Sequence, residues 1–415
     1  MTSRERVLSA LNHKSGPVPV DFGGTNVSGM HCTCIGAMRD HYGLEKRPVR
    51  IHEPYQMLGW IDPDLQDAIG ADITAVEPLG TIFGFAADDW KEWIAPWGQK
   101  VLVPGGFNVT QDEKGIYMYP EGDTSVAPSA HMPTGSFFFD SIIRQPELDE
   151  DNLNPDDNLE EYGPLTDAAL DRMKVAAEKA AVCGRAVVGD VGGTALGDIA
   201  LVPAPFLKAP KGIRDIEEWY VSTVIRQDYV HEVFDRQTDI ALGNLERAAA
   251  VLGDLIDVVM ICGTDFGTQS GTFCSSGTYN ELWHPYYKKM NDWIHKHTRW
   301  KTFKHSCGAV EGFMPHFIAS GFDIINPVQC SAVGMDPQTL KDRYGKDLVF
   351  WGGGVDTQQV LPFGTPTQVR QQVLERCSIF SKDGGFVFNA IHNVQTRTPV
   401  ENIVAMIEAV HEFNG

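Results

Sequence analysis

From about residue 186 onward the chain repeats one rhythm: a short apolar run, a polar or glycine turn, then an amphipathic stretch of helical period. The runs are Ala186–Val191, Leu255–Ile261, Trp300–Lys304, Phe322–Val328, Leu348–Trp351 and Gly385–Ala390. Helical period follows in Tyr279–His297, Val310–Ser320, Pro337–Tyr344, Pro366–Phe380 and Pro399–Phe413. Three of these helices open on Asp336-Pro337, Thr365-Pro366 and Thr398-Pro399, with proline in the first turn and the preceding residue expected to cap it. Upstream, Asp72–Glu77 follows the helix-like Asp62–Ile69 and brings the strands to seven; an eighth is not visible in the pattern.

Runs apolar on both faces and alternating with helices describe a parallel sheet covered by helices. No glycine-rich phosphate turn follows the first strand, so closure into a (βα)8 TIM barrel is a more economical α/β fold than an open doubly wound sheet. Residues 80–160 break the rhythm. Trp90, Trp93 and Trp97 precede the alternating Gly115-Ile116-Tyr117-Met118-Tyr119, a hairpin pattern. The expectation is one barrel domain over 1–415, with 186–415 as core βα repeats and 80–160 as a β-rich insertion near the catalytic face. Acidic Asn152–Glu161 reads as a solvated linker.

Composition narrows the function. With 55 acidic against 34 basic residues the net charge is −21, which gives nucleic-acid binding no electrostatic footing. No apolar run approaches the roughly 20 residues that span a bilayer. The eight cysteines are too few for a disulfide scaffold, and the N-terminus lacks an apolar signal core, so reduced thiols and a cytoplasmic location are expected.

Reactive side chains gather at the C-terminal ends of the expected strands: Asp190, Asp265, His305, Cys307, Cys330, Asp356 and His392. Barrel active sites occupy that face. The sharpest motif is Lys304-His305-Ser306-Cys307-Gly308. Positions i and i+2 of a strand point to one side, so imidazole and thiolate converge, a pair suited to Zn²⁺, and Gly308 turns the chain away. For a third ligand His392 and Cys330 both qualify, and spacing favours Cys330 slightly. Cys32 and Cys34 precede a helix without a second pair and read as core or loop. His295 and His297 sit on a charged helix face and read as surface. Asp265, at the end of Val259–Thr264, is either delivered inward or caps a helix.

These residues resemble a family. Glu5–Leu11 with Pro17-Val18-Pro19-Val20-Asp21, the His305-Ser306-Cys307-Gly308 turn, Gly353-Gly354-Val355-Asp356 and Thr398–Ile403 are similar to the uroporphyrinogen decarboxylase superfamily, over the N-terminal segment and nearly all of the chain after residue 186. The resemblance implies a TIM barrel. It includes cobalamin-dependent methyltransferases whose zinc is held by a His-x-Cys pair and a later Cys. The Arg-Gln-Ala-Gly-Arg motif of the decarboxylases is absent and the His-x-Cys turn is present, which points to the methyltransferase branch. That branch's later Cys falls on His392, a departure that still leaves a competent zinc ligand and places His392 ahead of Cys330.

The resemblance thus implies a zinc-dependent methyltransferase moving a methyl group between a small methylated metabolite (methoxy, methylamine or thiol type) and a corrinoid. A partner protein would carry the corrinoid, because this chain lacks an Asp-x-His-x-x-Gly motif. His305, Cys307 and His392 are the expected metal ligands, Asp265 and His392 the expected catalytic residues. The tryptophans of the insertion would cover the mouth or pack as core. A metal-free decarboxylase using Asp265 and His392 is the alternative, and a homo-oligomer is compatible with either reading.

Overall fold

The computed structural model describes residues 1–76, 80–145 and 147–415. Seven parallel strands form one curled sheet in chain order: β1 Ile73–Val76, β2 Ala186–Asp190, β3 Val258–Cys262, β4 Lys301–His305, β5 Ile324–Asn326, β6 Val349–Trp351 and β7 Phe386–Val387. All seven expected runs hold a strand; Glu77, the last residue of the first run, lies outside the described residues.

The eighth position belongs to Val18–Phe22. Phe388 donates its N–H to Pro19 O and Asp21 donates to Phe388 O, both at 2.8 Å, while Asp72 on the other side donates to Val20 O at 2.9 Å. Only a single bridge, Val20 to Phe388, is regular. Pro17 and Pro19 carry no N–H and so cannot sustain a ladder, which is why the segment closes the barrel without reading as a strand.

Alternation along the strands separates two cores. Ile73, Val188, Val258, Phe303, Ile324, Val349, Trp351 and Val387 point into the barrel and meet Val7 and Leu11 of α1, Ser3–Leu11, which plugs the N-terminal end. The other face of each strand packs on the helices. Arg6 of α1 holds the buried Asp72 at 2.7 and 2.9 Å, and Asp72 also accepts the Val20 N–H, so plug, closing segment and β1 share one carboxylate.

Helices Pro337–Tyr344 and Pro366–Phe380 start at the expected prolines, capped by Asp336 and Thr365. Thr398 does not cap the last helix, Val400–Asn414; its hydroxyl donates to Gln395 O instead. The stretch 279–297 is two helices, Ser276–Leu282 and His284–His297, because Pro285 is accommodated in a first turn and not in a helix interior. Between β2 and β3 lies Gln227–Leu252, whose buried positions recur with helical period.

The insertion contributes to two four-stranded sheets: the first pairs Lys91–Ile94 and Lys100–Val103 with Val49–Glu53 and Leu58–Gly59 from upstream of residue 80, and the second lies wholly within it. Its tryptophans are used in packing, Trp93 on Phe107 within the insertion, Trp97 between His31 and Phe137, and Trp90 beside Arg50. None lines the cavity at the barrel mouth; His52, Glu53, Tyr55, Gln56, Gly80, Thr81, Ile82 and Ala87 do so instead.

Candidate metal centre at the barrel mouth

His305 ends β4 on the inward face, two residues after Phe303 in the barrel core. Its register partner on β5 is Asn326, and His305 Nδ1 lies 2.6 Å from Asn326 Oδ1. Asn326 Nδ2 already donates to Trp351 O at 2.9 Å, so Oδ1 is the acceptor and Nδ1 carries the proton. Nε2 therefore presents a bare lone pair to the cavity.

Cys307 follows on the turn. Gly308 is required there: it adopts φ +90°, and a Cβ would stand 2.3 Å from the Gly267 backbone. Cys307 N donates to Asp265 Oδ1 at 2.6 Å, and Gly308 N donates to Gln329 Oε1 at 2.8 Å, which fix the turn against two neighbouring loops. His392 arrives on the loop after β7. Asn389 Nδ2 donates to Asp21 O, Asn393 Oδ1 accepts from Gly29 N, both at 2.6 Å, and Ile391 N donates to Val355 O at 3.0 Å. These bonds bring the His392 ring to 5.6 Å from that of His305.

The ligand atoms of His305, Cys307 and His392 all lie within 4.8 Å of one another. His305 Nε2 and Cys307 Sγ are 3.5 Å apart. Two donors on one tetrahedral ion, at the ~2.0–2.1 Å of zinc–imidazole and the ~2.3 Å of zinc–thiolate, stand about 3.5 Å apart, so this donor pair fits such an ion as it stands. Burial depresses both imidazoles, His392 to about 4 with the His305 charge adding to the effect. Burial, reinforced by Asp265, holds the Cys307 thiol well above its ordinary range. Neutral imidazoles are ready to ligate, and the thiol proton is the one a metal displaces.

The cluster opens on a cavity of about 460 Å³ lined by the ends of β2 and β3, the loops after them and the insertion. Asp190 and Asp265 line it as the strand ends suggest. Asp198 also lines it, on the loop after β2, and was not singled out from the sequence; the glycine-rich run Gly192-Gly193-Thr194 after a strand end was the available signal. Burial, with Asp265 adding, pushes the Asp198 carboxyl up to about 6.

Behind the wall Lys304 is fully buried, its Nζ donating to Thr264 O, His305 O and Cys262 Sγ at 2.6, 2.8 and 3.2 Å. Cys330 stands outside the three-residue cluster, beside Gly353, with its thiol pushed up to about 12 by burial. Asp356 accepts the N–H groups of Gln358 and Gln359 and so serves a turn. Cys32 and Cys34 are core residues, and His295 is a partly exposed partner of Asp323.

A family model described as uroporphyrinogen decarboxylase (URO-D) matches residues 144–413. Two curated relatives described as uroporphyrinogen decarboxylase, from Psychromonas ingrahamii and Pseudoalteromonas translucida, are each 34% identical, over 89 and 90 residues. Those stretches are 20% and 21% of this chain, and 24% and 25% of the relatives, so the match spans about a quarter of their length. A solved structure, a methyltransferase from Methanosarcina mazei, superposes with a TM-score of 0.54 at 14% identity over 100% of both chains, a likeness of fold.

Proposed function

The chain belongs to the uroporphyrinogen decarboxylase family, and on that footing we propose a cytoplasmic methyltransferase in which His305, Cys307 and His392 hold Zn²⁺ and a corrinoid on a separate protein exchanges a methyl group with a small methylated metabolite. The observation that carries this reading is the 3.5 Å separation of His305 Nε2 and Cys307 Sγ, with Nε2 already stripped of its proton. Zinc in that position supplies Lewis acidity to the oxygen, sulfur or nitrogen that bears or accepts the methyl group.

The protein's own groups do the rest. Asn326 fixes the tautomer and orientation of His305. Asp265 anchors the Cys307 turn through the main chain and faces the cavity beside Asp198, where either carboxyl can take or return a proton on the reacting heteroatom. Tyr55, Gly80, Thr81, Ile82 and Ala87 line the cavity and would limit water around that atom. Among the described residues no helix is long and apolar enough to cross a membrane.

Metal analysis of the purified protein, then methyl transfer between free cob(I)alamin and methoxy, methylamine and thiol compounds, tests the proposal. Stoichiometric zinc with transfer from one class supports it. Full activity of zinc-free protein would instead favour the second reading, a decarboxylase with Asp265 and His392 as acid and base, which the descriptions of the curated relatives favour.

A further inference from the structure

We infer that the cavity beside His305 and His392 selects substrates bearing an ammonium group, held by the carboxylates of Asp198, Asp265, Asp190 and Glu53 while the methyl-bearing or methyl-accepting atom faces the His305–Cys307–His392 cluster. The methyl-transfer reading enters only in naming that last atom; the choice of charge is a property of the cavity itself.

Four half-buried carboxylates line the cavity and, among the described residues, no lysine or arginine does. Glu77, Pro78, Leu79 and Pro146 bring no basic side chain either. Lys304, behind the wall, is turned away: its Nζ is used by two carbonyls and Cys262, and lies 4.8 Å from the centre of the Phe266 ring.

The carboxylates are held in place by main-chain donors. Glu53 accepts from Tyr55 N and Gln56 N at 2.8 Å, Asp190 from Gly192 N at 2.8 Å, Asp198 from Ala200 N at 3.0 Å and Asp265 from Cys307 N at 2.6 Å. Fixed acceptors in a partly desolvated wall form strong charge-assisted hydrogen bonds with an ammonium ion and penalise a second anion. Tyr55 and Phe206 give the same cavity apolar surface for the carbon skeleton. Among the described residues no lysine or arginine of the lining meets a carboxylate, sulfonate or phosphate substrate, and the charge of a metal on the cluster would be partly offset by the Cys307 thiolate.

The test uses three small methoxy compounds that differ in charge: 2-methoxyethylammonium, neutral 1-methoxypropane and methoxyacetate. Each is titrated by ligand-observed NMR into full-length protein, once zinc-loaded and once after chelation. The cation is expected to bind at least about tenfold tighter than the neutral ether, as a charge pair in a partly buried site allows, and the anion more weakly than either. Added salt and the Asp198→Asn and Glu53→Gln variants should narrow the gap between cation and ether. Equal binding of cation and ether, or preferred binding of methoxyacetate to chelated protein, overturns the inference. Cation preference in both metal states without methyl transfer to cob(I)alamin leaves the inference standing and removes the methyltransferase reading. Transfer from neutral or anionic donors alone does the reverse.

Discussion

His305 and Asn326 are register partners on adjacent strands, and the hydrogen bond from Nδ1 to Oδ1 decides which imidazole nitrogen faces the cavity. The direction of that bond is in turn set by Asn326 Nδ2, committed to Trp351 O. Asn326→Ala removes the acceptor and frees the ring to rotate or change tautomer. Metal affinity is expected to fall by about 10–100-fold, the usual cost of losing such a partner. Asn326→Asp keeps an acceptor facing Nδ1 and should recover most of it. Competition against a chromophoric chelator measures both, and unchanged affinity in the alanine variant would dismiss the tautomer argument.

Cys307 would become the charged member of the cluster when a metal displaces its thiol proton. Cys307→Ala and Cys307→Ser are both expected to lose stoichiometric zinc, because a neutral hydroxyl is a poor replacement for thiolate. The barrel should stay folded, since its stability rests on the strand and helix layers rather than on an ion. Cys330→Ala and His297→Ala should keep their metal, Cys330 lying outside the cluster and His297 on an exposed helix end. Metal content together with far-UV circular dichroism on the four variants separates ligand loss from unfolding; zinc retained by Cys307→Ala and lost from Cys330→Ala would reassign the thiolate ligand from Cys307 to Cys330.

The parts of this molecule that were legible in the sequence are those where one residue type answers to one local constraint. Parallel strands buried on both faces left apolar runs, and Asp336-Pro337 and Thr365-Pro366 marked helix starts to the residue. The two-residue spacing of His305 and Cys307 carried over directly into a shared site. What stayed hidden depends on partners far away in sequence. The closing segment Val18–Phe22 makes its bonds to Phe388 and Asp72 with prolines in it, and so has no strand signature. Asn326 is unremarkable until the register sets it beside His305. Asp198 lies in a loop, and only the fold brings it into the cavity with Asp265. Spacing alone preferred Cys330, because it cannot see that the loop after β7 folds His392 across the mouth.

His31 gives the fold a pH response away from the metal cluster. It is buried, Nε2 reaches Phe137 O of the insertion at 3.1 Å and Nδ1 accepts from Thr33 N at 3.2 Å, so both nitrogens are satisfied in the neutral ring. Burial lowers its pKa from 6.5 to about 4. Between those values the unfolded chain takes up a proton that the folded one refuses, so stability falls as pH drops through this window and is independent of this group above it. The contribution is about 3 kcal/mol if the unfolded value is ordinary. Denaturant titrations of wild type and His31→Gln at pH 7, 6, 5 and 4.5 isolate it: the variant should show the shallower loss, and parallel curves would remove His31 as the cause.

The floor of the barrel depends on α1. Leu11 is 1% exposed and packs with Val7 against the inward residues of the strands. Leu11→Ala opens a cavity where strand ends leave little room to relax, and a loss of about 2–4 kcal/mol is expected. Metal binding at the opposite end should be unaffected in the folded fraction. A drop in thermal midpoint with unchanged zinc stoichiometry is the outcome sought; a loss of zinc at temperatures where the protein is still folded would mean that plug and mouth are coupled.

Lys304 connects the metal cluster to the wall behind it. Its fully buried ammonium bridges Thr264 O, next to Asp265, and His305 O, and lies against Cys262 Sγ, which is itself 2.6 Å from the Tyr287 hydroxyl. Phe266 and Phe317 rings stand 4.8 and 5.5 Å away by their centres, which adds cation–π attraction. Lys304→Met keeps the length and apolar stem but leaves two buried carbonyls without a donor, at a cost of about 2–4 kcal/mol. The same carbonyls belong to, or adjoin, the two residues that position Cys307 and the Nε2 lone pair, so relaxation of either should loosen the cluster. Zinc affinity is therefore expected to fall about tenfold in protein that remains folded, by analogy with the loss of other residues supporting metal ligands. Cys262→Ser, which disturbs only the sulfur contact, should change neither property by as much. Should Lys304→Met lose stability while binding zinc as tightly as wild type, the lysine supports the wall alone and the cluster is held by Asn326 and the Gly308 turn.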